Sequence, residues 1–513
     1  MTNRECSAGS LKILPVTGEN MSGFLTGNRK ERGCVMAEIK KKDRQVLGLF
    51  TLSMIGVAAV LSLRNVPSVA EEGFSSVIFW IIGAIIVFIP VAFVSAELAT
   101  GWPKSGGLYV WVKEAFGDRW GFVTSWFYWI ANVVWFPTIL AFTAATIAYI
   151  FNPDLAGNGL YMMTVILIVF WAVTLANFFG MKVSGWISTV GVILGTILPG
   201  AILIIMGIWW LAAGNPSQIT MTGGSVIPDF SSVENIVFLI GVSLSFVGLE
   251  LSSIHAQEVK NPSRDYPKSI LIAVIIVLLV YIISTIAVAA VVPQHEISLV
   301  AGLMQAFEAF FKPFNLAVAV PVIAALTAIG AFALINTWVM APAKAILVTA
   351  RNGDLPPILQ HVNRNYAPVS ILILQAVIGT LLASVFVLMP NVNASYWLIT
   401  ALTSQLYAII YILMFAAAIR LRYTRPEVKR PYTVPGGKAG MWLAAGVGLA
   451  GSVLILIIGF FPPSQISTGS LLFYEAFLFG GIILFTLIPF LVYRFRKPHW
   501  KPEKDIDALL EKM

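Results

Sequence analysis

Charged side chains make up only 11% of this 513-residue chain, less than half the share of an ordinary soluble protein. So few charges cannot cover a soluble surface of that size. The apolar excess, 58% hydrophobic residues and a mean hydropathy of +0.85, points to the lipid bilayer as solvent. Cysteine is nearly absent. Cys6 and Cys34 both fall in the polar N-terminal tail, so neither a disulfide nor a thiolate metal site is expected to support the remainder. The four histidines, His255, His295, His361 and His499, are too dispersed for a metal-binding pair at helical spacing, and no Gly-rich phosphate loop ends in Lys-Ser or Lys-Thr. No metal, no cofactor and no enzyme chemistry are expected. Residues 1–35 hold no apolar core fit for a secretory leader, and Met36 offers an alternative start.

What is abundant is apolar sequence in runs of about 20 residues, the length that crosses a hydrocarbon core of about 30 Å. Twelve such runs lie near 46–70, 76–100, 120–150, 160–180, 184–213, 234–254, 269–292, 316–343, 369–389, 395–420, 440–461 and 470–494. Their continuity predicts helices rather than the short alternating strands of a membrane barrel. The basic residues orient them. With both termini cytoplasmic, 31 of the 33 Lys and Arg fall in cytoplasmic segments, leaving Lys312 outside and Arg64 within a span. That positive-inside bias accounts for the net charge of +8 without any nucleic acid partner. The expected protein is an all-α, multi-pass resident of the cell inner membrane, with a homodimer left open.

The spans fall into two blocks, 46–213 and 234–420, which begin on opposite sides of the membrane and so read as an inverted repeat. Two further helices occupy 440–494, and 1–45 and 495–513 are tails. The first span of each block is interrupted: "GVAAVLSLRNVP" (56–67) and "GVSLSFVGLELSS" (241–253) mix small and polar residues. Paired interruptions at corresponding positions point to a transporter's midplane site. A helix break in lipid frees backbone donors and acceptors, the former suited to a carboxylate and the latter to an ammonium. An α-amino acid carries both groups. Ser62, Arg64, Asn65, Ser245, Gly248 and Glu250 are the candidate binding residues of these two breaks.

Arg64 has competing readings. It can snorkel to the interface or pair with Glu71 or Glu72, pair with Glu250, or hold a ligand carboxylate. Tyr407 and Tyr411, four apart, share one helix face. Tyr128, Asn132 and Trp135 lie inside span three, where packing explains them as well as ligand contact does, and Trp338 is similarly deep. Trp80, Trp102, Trp120, Trp209, Trp210, Trp397 and Trp442 fall near span ends and read as interfacial anchors. Glu97, near the cytoplasmic end of span two, reads as a gate or a helix-terminal contact, and His255 stands close to Glu250 and Glu258.

Several stretches are recognisable. "EVKNPSRDYPKSI" (258–270), "KRPYTVPGGKAG" (429–440), "GFFPPSQI" (459–466), "GFSSVIFWIIGAIIVFIPVAFVSAELAT" (73–100) and "RWGF" (119–122) resemble the amino acid–polyamine–organocation superfamily, and within it the bacterial glutamate:GABA antiporter branch. The resemblance runs from about residue 46 to 495. It implies a LeuT-like fold of five helices plus five inverted, with two extra, that alternates between outward-open and inward-open forms. It also implies that Glu250, Trp338, Tyr407 and Tyr411 match functional positions. Two departures stand out: those antiporters carry an acidic residue where Leu334 stands and a tyrosine where Arg64 stands. The tail after the last span is also too short to resemble their C-terminal plug.

The expected function is secondary active transport, an antiporter exchanging an external amino acid for an internal amino acid or its decarboxylation product. The alternatives are a proton-coupled amino acid or polyamine permease and, in another class, a membrane amino acid sensor or channel-like pore. The absence of a sizeable soluble domain and of a ring of pore charges argues against the last two.

Overall fold

Without water to satisfy them, the backbone groups of an apolar run must pair within the run, so each becomes a helix. The computed structural model describes residues 48–103, 106–179, 191, 193–219, 227–228, 230–250, 259, 261–464 and 466–501. Its helices are α1 (Leu49–Val60), α2 (Leu63–Ala70), α3 (Gly73–Gly101), α4 (Leu108–Phe116), α5 (Asp118–Phe151), α6 (Gly159–Asn177), α7 (Ile193–Ala212), α8 (Val233–Ser245), α9 (Arg264–Val291), α10 (Gly302–Phe311), α11 (Ala319–Asp354), α12 (Val369–Leu388), α13 (Val392–Thr424), α14 (Gly437–Ile458) and α15 (Leu471–Arg494).

Ten of these are long and apolar enough to cross a membrane, and α1 and α2, bent by 43°, reach that length and apolarity only when taken together. The sixth expected span is represented by the shorter α8. Its last expected residues, 251–254, and His255 and Glu258 beyond them lie outside the described residues. Two short helices, α4 and α10, were not expected; each buries one apolar face while standing between spans. Helix α11 runs on to Asp354 instead of ending near 343, its last turn widened into a π-helix that closes at Gly353. A second π turn, Ala84–Phe88, precedes Pro90 in α3, consistent with the ladder disruption that proline causes.

Helix α5 is the axis of the molecule: 89% of its apolar stretch is buried, against 17% for α15 at the rim. It packs on α11 and α13, while α9 packs on α1 and α14 on α13. Where α7 crosses α11, Gly195 faces Gly330 so closely that a Cβ on Gly195 would lie 2.1 Å from the Gly330 nitrogen, so backbone meets backbone there.

The loops rich in Lys and Arg gather at one end, the basic end. There Asn363 and Asn365 both donate to the carbonyl of Phe178 (2.8 and 3.0 Å), and Arg496 pairs with Asp354 at 2.9 Å. At the opposite end Asn393 Oδ1 accepts from the Leu299 N–H at 3.0 Å.

Candidate functional site

The break between α1 and α2 follows from its residues. Leu61 and Ser62 are extended (ψ 118° and 121°), one 3-10 turn covers Leu63–Asn65, and Pro67 sits in the first turn of the resumed helix, where its missing N–H is no loss. The break after α8 turns on Gly248, with φ +117°. A Cβ there would lie 2.7 Å from the Ala59 carbonyl oxygen, so the position demands glycine twice over, for conformation and for the approach of one break to the other.

A tyrosine that the sequence reading passed over joins the two breaks. The Tyr281 hydroxyl, from α9, lies 2.9 Å from Val60 O and 3.2 Å from Ser245 O, and it accepts from the Ser62 N–H at 3.1 Å. Trp80 stacks on its ring at 4.5 Å with 6° between planes and donates its indole N–H to Thr285 Oγ1 at 3.0 Å. The available signal was a lone phenol in an aliphatic run, "LLVYIIS", which in lipid requires a polar partner. Trp80 and Trp397 are thus not interfacial anchors, being fully buried, whereas Trp120, Trp209 and Trp442 are exposed as expected.

Arg64 is 2% exposed. Its Nη1 donates to Thr138 Oγ1 (2.9 Å) and Tyr396 Oη (3.0 Å), and its Cζ lies 5.5 Å from the Trp135 ring centre and 5.8 Å from that of Tyr396. Its Nε has no partner. Among the described residues Arg64 forms no ion pair, with Glu71, Glu72 or Glu250. The snorkelling and internal-pair readings fail because the 3-10 turn aims the side chain into the bundle, toward α5 and α13.

A cavity of about 30 Å³ opens beside the break, lined by Ser62, Arg64, Asn65, Asn132, Trp338 and Tyr407 among others. That is room for about two waters. Trp135 and Trp338 meet across it at 5.8 Å, and Leu334, one turn from Trp338, contributes an apolar wall. Arg64 is the one charged side chain among the described lining residues.

Tyr407 also lines a second, smaller cavity together with Tyr411, Ser243, Ser404 and Ser452. Tyr411 in turn holds Glu250. This carboxylate is 2% exposed; its Oε2 accepts from Tyr411 Oη (3.1 Å) and the Gly248 N–H (3.2 Å), and its Oε1 has no partner. The phenols that hold Arg64 and Glu250, Tyr396 and Tyr411, are 15 residues apart on α13, about 22 Å along a helix axis. The two charges therefore occupy different levels of the bundle. Tyr128 meets Tyr407 edge-on at 6.5 Å and Asn132 donates to the Tyr128 carbonyl at 2.7 Å, whereas Ser245 turns its hydroxyl back to Gly241 O.

Glu97 stands apart, at the basic end. It pairs with Arg422 (2.5 Å) and Arg430 (3.4 Å) and accepts from the Val434 N–H (2.8 Å). That ties α3 to α13 and to the loop that follows it. Tyr432 in this loop is pushed up to about 12 by burial and the nearby Glu97.

Two helix breaks that meet beside one small cavity, in a bundle with so many apolar spans, have the arrangement of a multi-pass membrane transporter rather than an enzyme. The crystal structure of MhsT in complex with L-phenylalanine has the same LeuT-like fold, with a TM-score of 0.54 at 14% identity, covering 80% of this chain and 98% of that one. The chain belongs to the amino acid permease family, whose model matches residues 47–485. It is 44% identical to an uncharacterized transporter of Legionella pneumophila over 89% of this chain and 98% of the relative. It is 31% identical to a glutamate/gamma-aminobutyrate antiporter of Lactococcus lactis over 88% and 91%.

Proposed function

We infer that this transporter is an amino acid antiporter of the cell inner membrane, exchanging an external amino acid for an internal amino acid or its decarboxylation product by alternating access. Arg64 carries the reading. A charge at bilayer depth costs about 2.5 to 3.5 kcal/mol even on the lenient insertion scale, and here it faces only neutral groups beside a cavity. A ligand carboxylate completes it. Ser62 and Asn65 stand beside it for the second carboxylate oxygen, Trp338 and Tyr407 shape the wall, and Asn132 offers an amide from the far side. Tyr411 and Glu250, with Tyr128 against Tyr407, form the next layer toward the basic end. Gly248 and Ser245 hold the second break, Glu97 latches the basic end, and His255, five residues after Glu250, is a further gate candidate. The likeness to the glutamate/gamma-aminobutyrate antiporter supports exchange.

In this reading the blocks 46–213 and 234–420 are the inverted repeats that rock against each other, 440–494 adds two helices, and the basic end with both termini is cytoplasmic. Purified protein in liposomes tests it. Labelled glutamate or glutamine should enter vesicles preloaded with unlabelled amino acid much faster than empty ones, saturably and without ion conductance. Equal entry into empty vesicles under an imposed proton gradient would make it a proton-coupled permease instead.

A further inference from the structure

The rim of the bundle at the basic end holds cations that the central cavity does not use. Helix α15 faces the lipid, with only 17% of its apolar stretch buried. Leu484, Leu487, Leu491 and Arg494 are all exposed, at spacings of three, four and three, so they form one stripe along a single helix face. The start of α5 stands beside the end of that stripe. Arg119 lies over the Phe490 ring, its Cζ 4.9 Å from the ring centre, and the exposed Trp120 meets the same ring edge-on at 5.9 Å. Further in, the Trp126 indole donates to the Phe485 carbonyl at 3.0 Å and holds the two helices side by side. Phe490 and Arg494 are one turn apart on one face, so guanidiniums from two helices flank one corner. Among the described residues no carboxylate lies within ion-pair distance of Arg119 or Arg494, and two neighbouring acids are taken, Asp118 by Lys113 at 2.7 Å and Asp354 by Arg496 at 2.9 Å. Lys497, exposed three residues past Arg494, adds another cation.

We propose that this corner between α5 and α15 binds one anionic phospholipid of the leaflet at the basic end. Arg119 and Arg494 grip the phosphate, Lys497 adds charge at the headgroup, and an acyl chain lies along Leu491, Leu487 and Leu484. The planar guanidinium fork matches two phosphate oxygens, the Phe490 ring beneath Arg119 keeps that side chain from folding away, and Trp120 sits where indoles anchor at headgroup level. A phospholipid with a quaternary ammonium headgroup offsets its own phosphate, so the unbalanced cations favour an anionic one. A second copy of the chain fits this face less well, because a two-fold contact would set the same cations opposite each other. By fastening α5, the most buried span, to α15 at the rim, the lipid stabilises the folded bundle. This holds whatever the central cavity carries.

Purified protein in detergent, titrated with phosphatidylglycerol or with phosphatidylcholine of the same acyl chains, tests this. Occupancy is read by native mass spectrometry and stability by the melting temperature. The expected result is one phosphatidylglycerol retained per chain, with a rise in melting temperature that phosphatidylcholine does not give. Arg119→Gln and Arg494→Gln should each weaken it about 5-fold, the ~1 kcal/mol of one basic side chain at an anionic surface, and together about 25-fold. The control pair Arg364→Gln, Lys438→Gln removes the same charge from exposed positions elsewhere at the basic end and should leave retention unchanged. An equal loss in the control pair would reduce the effect to diffuse attraction and overturn the site, as would equal retention of phosphatidylcholine. The same stabilisation by inorganic phosphate at matched ionic strength would make the corner an anion site without lipid and overturn the proposal too. A dimer that holds no lipid and falls apart in the Arg119→Gln, Arg494→Gln variant would assign the face to a second copy instead.

Discussion

A single hydroxyl, that of Tyr281, serves three backbone groups which two helix breaks would otherwise leave bare in lipid. Removing it with Tyr281→Phe keeps the ring stacked on Trp80 and strips away only those bonds. Leaving buried backbone groups unmet costs about 1 to 3 kcal/mol, so the variant should melt earlier in detergent. Because the breaks also shape the cavity, its half-saturation in exchange should rise while the maximal rate changes less. A lower melting temperature with an unaltered half-saturation would make Tyr281 a packing residue. Gly248 is stricter. With φ at +117° and the Ala59 oxygen 2.7 Å from where a Cβ would go, Gly248→Ala must displace one break from the other and should abolish exchange.

At the scale of an element, the hairpin joining α2 to α3 carries Glu71 and Glu72. Burial, with the neighbouring Glu72, pushes Glu71 from 4.5 to about 8, and burial pushes Glu72 to about 7. Glu71 Oε2 has no partner. In an unfolded chain both ionise near 4.5, so the folded state binds more protons between that pH and its own values. Linkage then sets the sign: stability is full below about pH 4.5 and falls as pH rises through 7 and then 8. Melting temperatures measured from about pH 4 to about pH 9 should show this decline, and the double variant Glu71→Gln, Glu72→Gln should flatten it and gain stability at the alkaline end. An identical slope in the double variant would assign the decline to other groups.

Across the whole molecule, the two ends are fastened differently. The opposite end has neutral contacts such as Asn393 with Leu299, while the basic end is clamped by Glu97 between two guanidiniums. Glu97→Gln would leave Arg422 and Arg430 facing each other without their anion, a change that typically costs about 3 to 5 kcal/mol for a buried pair. A marked fall in melting temperature is expected, and a neutral outcome would mean that solvent already screens the cluster. Orientation is tested at the same scale. Labels at the exposed Ser217 and Ser467 should react in intact cells, and one at the exposed Lys438 only after permeabilisation. The reverse pattern would invert the proposed topology.

Composition and run length by themselves determined the solvent and the helical class of this protein, because hydropathy accumulates over neighbouring residues and needs no knowledge of what packs where. The break in span one was equally legible, since Ser62, Arg64, Asn65 and Pro67 interrupt one apolar run within a few neighbouring residues. Partners were not legible. Arg64 finds Thr138 and Tyr396 at separations of 74 and 332 residues, and Glu97 finds Arg422 at 325. Each pairing depends on how one helix is rotated against another, which a periodic pattern of apolar residues does not specify when nearly every face is apolar. Only the tertiary structure could therefore set Arg64 against a neutral cavity, place Glu250 a layer deeper and bring Tyr281 to both breaks: in a bundle solvated by lipid, helix rotation is decided by close packing and polar pairing between distant segments.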